Sequence, residues 1–223
     1  MDPVLFSIDE RGVATITLNR PGRLNAINMA MRDLLWEYFQ ACGEIEDVRV
    51  IVFRGEGRAF SAGADISEFG TAPSVMASRA ARHDRDLWWE LLNHRCLTIA
   101  LMHGFCYGAG LELPLQCDVR IAEEGSSFGL PEVTLGYIPS ACGTQTLSRL
   151  VPQGVASHMI LTGQPIGTEA ALRWGLVDEV VAPGGLDAAL ERVLARAGDQ
   201  ELTARRRAMV TLAAIPNGGT GVR

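Results

Sequence analysis

The sequence predicts an α/β protein, and three patterns carry that prediction. Two N-terminal segments, Val4 to Ile8 and Val13 to Leu18, alternate apolar and polar residues with the period of a half-buried strand. Two later runs, Val48 to Phe53 and Leu97 to Met102, are β-branched and apolar apart from Arg49 and Thr98, as suits buried strands. Between and after them lie segments of helical period, so strand and helix alternate throughout as stacked βα-type units. A chain of 223 residues can bury one full core, and no fixed-period repeat or low-complexity linker divides it.

Each element has a local cause. Asp9-Glu10-Arg11-Gly12 joins the first two strands as a hairpin, and Asn19-Arg20-Pro21-Gly22 breaks the pattern. Met29 to Cys42 sets Leu34, Leu35, Tyr38 and Phe39 on one helical face, with Gly43 ending the helix. Thr71 to His94 reads as one long helix, in which Trp88 and Trp89 belong to the core, to an interface or to the wall of a pocket. Asp118 to Ala122 is a short strand closed by the turn Glu123-Glu124-Gly125-Ser126. Thr168 to Trp174 is a helix with Thr168 as N-cap and Gly175 past its end, followed by a strand from Val177 to Val181. Leu186 to Ala197 and Leu202 to Ala213 read as helices, and the tail Pro216 to Gly221 as mobile. The expected organisation is a core domain over residues 1–182 and a short helical C-terminal extension over 183–223.

Composition excludes several chemistries. All 20 basic residues are arginine, which removes P-loop, pyridoxal Schiff-base and lysine-dependent aldolase mechanisms. A net charge of −6 and the lack of a basic stripe speak against nucleic acid; Arg205-Arg206-Arg207 reads as a solvated helix face. Cys42, Cys96, Cys106, Cys117 and Cys142 form no CxxC pair, and their odd number with no leader pattern suits reduced thiols in a cytoplasmic setting. The histidines lack metal-ligand spacing, so no metal is expected, and no apolar run is long enough to span a bilayer.

What remains is a constellation of glycine-rich turns and acids. Gly108-Ala109-Gly110 opens a helix after a buried strand; the Ala109 N–H, unpaired at that helix start, can point at a ligand oxygen with the helix dipole behind it. The same triplet fails as a dinucleotide fingerprint, because Leu113 holds the third glycine position. Phe60-Ser61-Ala62-Gly63-Ala64-Asp65 is a second amide-rich turn. It is also a degraded nucleophile elbow, for which His103 or His83 would have to serve Ser61. Glu112 sits in an otherwise apolar helix, and Glu132 follows Pro131 in a turn where it could act as a cap. An ion pair is the plain alternative for Glu112, although the nearest arginine in sequence, Arg120, lies on another element. Cys106 and Cys142 read as packing residues rather than nucleophiles. Two amide-rich turns and two acids are the parts that hold an oxyanion and move protons beside it.

These segments resemble the enoyl-CoA hydratase/isomerase (crotonase) family over about residues 4 to 182. The matching stretches are NRPGRLNAIN from Asn19, RAFSAGADISEF from Arg58, HGFCYGAGLELPLQCD from His103, FGLPEVTLGYIPSACGTQTLSRL from Phe128 and LTGQPIGTEAALRWGLVDEVV from Leu161. The resemblance implies a crotonase-like α/β spiral, a stack of ββα units in two sheets. It implies syn-addition of water across the 2,3 double bond of a trans-2-enoyl-CoA, with the N–H groups of Ala64 and Ala109 as oxyanion donors and Glu112 and Glu132 as the acid–base pair. Arg23, Ala62, Asp65, Ile66 and Gly108 fall among the substrate contacts, Arg23 toward a CoA phosphate. Coenzyme A is then part of the substrate and no cofactor is implied. A homotrimer or dimer of trimers is the expected assembly, with an acyl-CoA as partner and neither nucleic acid nor membrane.

The sequence also departs from the family. Ser67 stands where many hydratases carry a lysine, Leu130 replaces a common glutamine, and the C-terminal region is short. Isomerase, hydrolase or decarboxylase chemistry on an acyl-CoA, and a non-catalytic acyl-CoA-binding subunit, remain as alternatives.

Overall fold

The computed structural model describes residues 2–74, 76 and 85–196. Strands β1 (Val4–Ile8) and β2 (Val13–Leu18) form the expected antiparallel hairpin. Helix α1 (Met29–Glu44) returns the chain to β3 (Val50–Gly55), which pairs with β2 in parallel, Val13 opposite Val50. Helix α2 (Leu87–Asn93) precedes β4 (Leu97–Met102), parallel to β3. Then come β5 (Phe105–Tyr107), the single-turn helix α3 (Ala109–Glu112), β6 (Val119–Glu123) and β7 (Ser127–Gly129). Helices α4 (Gly143–Leu150) and α5 (Gln153–Thr162), strand β8 (Ile166–Gly167), helix α6 (Thr168–Arg173), strand β9 (Glu179–Val181) and helix α7 (Leu186–Arg196) complete the order. The larger sheet has six strands in the order β1-β2-β3-β4-β6-β9, and the smaller has three, β5-β7-β8.

The apolar runs of β3 and β4 have a simple cause: these two strands are covered on both faces. Ile51 and Phe53 of β3 face a core that includes Met31, Leu35 and Phe39 of α1, whereas Val50 and Val52 face a second cluster with Leu186, Ala189 and Leu190 of α7. β4 divides the same way, Ala100 and Met102 to one side and Leu97, Ile99 and Leu101 to the other. Full burial of one such side chain contributes about 1.5–3 kcal/mol. Arg54–Asp187 and Arg11–Glu191 ion pairs on the surface also link α7 to this layer.

Several boundaries differ from the sequence reading. Gly43 lies inside α1, which ends at Glu44; Arg95 explains the extension, because its guanidinium donates to the carbonyls of Cys42, Gly43 and Ile45 at that end. Thr71 to Ser74 are not helical, whereas Met76 is; α2 begins after Asp86, whose carboxylate accepts from the Trp89 N–H at 3.0 Å. Thr168 is the first residue of α6 rather than its cap, and Gly167 holds the cap position. The predicted strand ends at Val48, Asp118 and Val177 give way to Val50, Val119 and Glu179. The predicted helix from Leu202 to Ala213, the tail Pro216 to Gly221, Arg205 to Arg207 and His83 lie outside the described residues.

Phe39 and Phe53 meet edge to face, with centroids 5.6 Å apart, both fully buried where α1 crosses the sheet. Phe39→Ala should therefore lower unfolding free energy by about 3–5 kcal/mol, measured by urea denaturation; a loss below about 1 kcal/mol would contradict this packing.

Candidate active site

The site is assembled where two loops touch. The first, residues 59 to 65, is tied to the segment from Asn19 to Asn28. Asn25 is buried in the left-handed region at φ 54°, and its Nδ2 donates to the carbonyls of Glu56 and Ala59, both at 2.8 Å. The Ser61 hydroxyl donates to the Asn25 carbonyl at 2.8 Å and accepts from the Gly63 N–H at 3.2 Å. Ile27 donates to the Gly63 carbonyl, and Asp65 N–H donates to the Ile27 carbonyl. Gly63, at φ 102°, has to be glycine: a Cβ there would stand 2.8 Å from the Tyr107 carbonyl oxygen.

That contact brings the second loop in. The Tyr107 N–H donates to the Ser61 carbonyl, so the chain leading into α3 lies directly against the first loop. At the helix start, Leu111 and Glu112 both donate to the Gly108 carbonyl. Among the described residues, neither the Ala64 N–H nor the Ala109 N–H has an acceptor, and both residues are half-buried. The helix behind Ala109 is a single turn followed by the 3-10 turn Pro114–Gln116, so little helix dipole stands behind that N–H, contrary to the sequence reading.

Two buried carboxylates flank the meeting point. Glu112, 2 % exposed, accepts at Oε1 from the N–H groups of Ala141 (2.9 Å) and Gly143 (2.8 Å). Arg120 is taken up elsewhere, by Asp178 and by the carbonyls of Cys117 and Leu176. Gly143 makes the close approach possible, since a Cβ there would fall 2.7 Å from Glu112 Oε1. Glu132, 3 % exposed, stands in the 3-10 turn Pro131–Leu135 with Oε1 against Gly108, where an added Cβ would meet it at 3.0 Å. Its Oε2 is buried and has no hydrogen-bond partner among the described residues. Desolvation raises its pKa, offset in part by its own backbone N–H. One acid thus has two N–H donors suited to a carboxylate, while the other has an environment suited to a carboxylic acid.

The remaining predicted residues sort by position. Ala62 is half-buried in the first loop, its N–H held by the Leu24 carbonyl. Ile66 is 63 % exposed beside it, and Arg23 ends the exposed 3-10 turn Pro21–Arg23. Gly108 joins the two acids, as described. Asp65 has its side chain committed to the fold: Oδ2 pairs with Arg20 at 2.8 Å and Oδ1 accepts from Ser67. Hydrogen bonds from Ser67 and then from Arg20 hold its pKa below the usual value. Ser61 is bonded to Asn25 and His103 to the Gly57 carbonyl, so these two do not form a nucleophile–base pair. Cys106 is fully buried with its thiol pushed up by burial, and Cys142 is exposed. Trp88 packs against the main core, while Trp89 is 64 % exposed. The sequence reading missed Asn25 and the Ala141 to Gly143 turn; the left-handed Cys142, at φ 72°, gives no sequence signal because glycine is absent there.

The sequence profile described as Enoyl-CoA hydratase/isomerase matches residues 9–214. The chain belongs to the enoyl-CoA hydratase/isomerase family. It is 41 % identical over 181 residues to the short-chain-enoyl-CoA hydratase of Clostridium acetobutylicum, covering 79 % of this chain and 68 % of that one. It is 39 % identical over 180 residues to the 2,3-dehydroadipyl-CoA hydratase of Escherichia coli, covering 81 % and 69 %. The solved enoyl-CoA hydratase of Mycobacterium smegmatis superposes with a TM-score of 0.83 at 30 % identity, covering 98 % of this chain and 93 % of that one. The crotonase-like α/β fold expected from the sequence is therefore the fold of the chain. Among the described residues, no helix is long and apolar enough to cross a membrane, and no group of three or more His, Cys, Asp or Glu could hold a metal ion.

The Arg20–Asp65 pair yields a pH prediction. A carboxylate with a depressed pKa contributes stability present above the unfolded value, near 3.9, and lost as pH falls through the folded value. Asp65→Asn should cost about 1.5–3 kcal/mol at pH 7, with the gap to wild type closing below about pH 4 in urea titrations; a pH-independent gap would contradict the ion pair.

Proposed function

We propose that this protein is an enoyl-CoA hydratase that adds water, in the syn sense, across the 2,3 double bond of a trans-2-enoyl-CoA thioester. The observation that carries the reading is the pair of N–H groups, Ala64 and Ala109, that have no acceptor among the described residues, beside two buried acids in opposite hydrogen-bonding environments. Relatives named as enoyl-CoA hydratases at about 40 % identity support the choice of reaction.

In this reading the thioester oxygen lies between the two N–H groups, and negative charge grows on it as an enolate forms. One water sits between the acids. Glu112, supplied with two N–H donors, takes a proton from the water as its oxygen bonds to C3. Glu132, whose raised pKa favours the protonated form, delivers a proton to C2 from the same face. The enolate collapses to the 3-hydroxyacyl thioester, and transfer of the proton from Glu112 to Glu132 restores the pair. Coenzyme A enters as part of the substrate, and no step calls for a cofactor. Exposed Ile66 and Arg23 flank the first loop and are the proposed contacts for the CoA moiety. Exposed Leu135, Ile138 and Leu161 are apolar surfaces that the proposed homotrimer or dimer of trimers would cover.

The test is purified protein with crotonyl-CoA, following loss of the conjugated thioester's ultraviolet absorbance and gain of one water by mass. Turnover to an isomer, a free acid or a decarboxylated product would replace hydration with another acyl-CoA reaction. Binding without any turnover would point to a binding subunit.

Glu112→Gln and Glu132→Gln should each collapse turnover while leaving acyl-CoA affinity within about threefold, because neither acid holds the CoA moiety. Glu132→Gln should also stabilise the fold. A carboxyl with a raised folded pKa loses stability as pH rises from its unfolded value through its folded one, so the amide gains at pH 7 and the difference vanishes below about pH 4. A lower melting temperature for this variant at pH 7 would contradict the assigned environment.

Ala109→Pro removes one donor at a first helical position, where proline fits the backbone. The expected result is a fall in kcat of about 10²–10³-fold with the melting temperature near wild type. Unchanged kcat in the folded variant would sink Ala109 as an oxyanion donor.

A further inference from the structure

The 3-10 turn after α3 ends in Gln116, a buried amide outside the reacting centre, 6 % exposed. Its Nε2 donates to the Ala141 carbonyl at 3.2 Å and, more weakly, to the Glu112 carbonyl at 3.4 Å. Ala141 is thereby gripped at both ends, since its own N–H donates to Glu112 Oε1. Between Ala141 and Gly143 the chain passes through Cys142 at φ 72°, a left-handed conformation unfavourable for a residue with a side chain. Such a conformation persists only where the surroundings over-determine it. The amide's orientation is fixed as well, because turning it over would set Oε1 against two carbonyl oxygens. Kept this way round, Oε1 is left buried with no partner among the described residues, so the donor side is what the fold uses.

We propose that Gln116 is a positioning residue for the catalytic base. Its amide holds the Ala141 carbonyl, keeps the left-handed turn at Cys142 closed and so keeps the N–H groups of Ala141 and Gly143 aimed at Glu112 Oε1. The inference rests on the reading of Glu112 as the base.

Two near-isosteric substitutions in the full chain test it. Gln116→Met removes the donor and keeps the volume; kcat for crotonyl-CoA should fall about tenfold while KM changes less than about twofold. Gln116→Glu sets a carboxylate against two carbonyl oxygens and should lose more, on the order of a hundredfold. A packing role predicts full kcat in both folded variants, and that outcome overturns the proposal. A double-mutant cycle adds a second readout: in the Glu112→Gln background, with enzyme in excess over substrate, Gln116→Met should cause no further loss. An independent, multiplicative loss overturns the proposal, because Gln116 would then act other than through Glu112. Wild-type turnover in Glu112→Gln alone would instead sink the base assignment, so the two failures are distinguishable.

Discussion

Two backbone N–H groups, those of Ala64 and Ala109, find no acceptor in the described chain, and much of the local structure keeps them so. A buried, unsatisfied N–H costs on the order of 1–3 kcal/mol, so a free loop would rotate its peptides until such groups found partners. Here the neighbouring groups are pinned. Gly63 is held through both its N–H and its carbonyl, and the Asp65 N–H is held by Ile27. On the other loop, the Gly108 carbonyl takes bonds from Leu111 and Glu112, and the Gly108 N–H bonds to the Gly129 carbonyl. Rotating either open peptide would break a bond made by its neighbour. The donors stay ready because the surrounding bonds leave them no alternative.

The same turn sets the difference between the two acids. Glu112 lies one helical turn from Gly108, and Glu132 presses its carboxyl against that glycine. Equal surroundings would give two acids with the same tendency to ionise, which suits neither proton donation nor acceptance in one step. The loop before α4 breaks the symmetry by giving two N–H donors to Glu112 alone. Glu132 keeps an orphaned oxygen and the desolvation that goes with it. In the proposed reading, stability is given up at Glu132 for chemistry, and the covered faces of β3 and β4 offset the loss.

Most of the fold was legible because burial leaves a plain pattern in sequence. The hairpin and β4 appear at their expected residues, and the apolar stretch Val50 to Phe53 of β3 reflects coverage on both faces. The misplaced ends share a cause, since each was decided by a long-range contact. Arg95 caps α1 from another element and carries the helix past Gly43, and no local pattern announces that. At the site, Glu112 stood out as an acid in an apolar helix, and the glycine turns stood out by composition. Asn25 and Gln116 did not, because an isolated amide looks the same whether it is solvated or bonded to buried carbonyls. Asp65 was legible as a residue and not as a role, since its partner Arg20 is 45 positions away.

Residues this far apart meet because of strand order. β3, β4 and β6 are consecutive neighbours, all parallel, so their chain exits lie at one edge of the larger sheet. The exit of β3 carries Ala64; that of β4 passes through β5 to Ala109 and Glu112; that of β6 passes through β7 to Glu132. β5 and β7 then pair in parallel, with Tyr107 opposite Gly129, which brings Gly108 to Glu132. A slip of one residue in that short ladder would displace Gly108 by about 3.3 Å along the strand and exchange the faces of Cys106 and Tyr107. Two features oppose such a slip: Cys106 fills the core from the inward face, and the Tyr107 hydroxyl lies 2.9 Å from Ser127 Oγ on the neighbouring strand. The geometry of the acids thus depends on a three-residue pairing whose register is set by burial on one side and a hydrogen bond on the other.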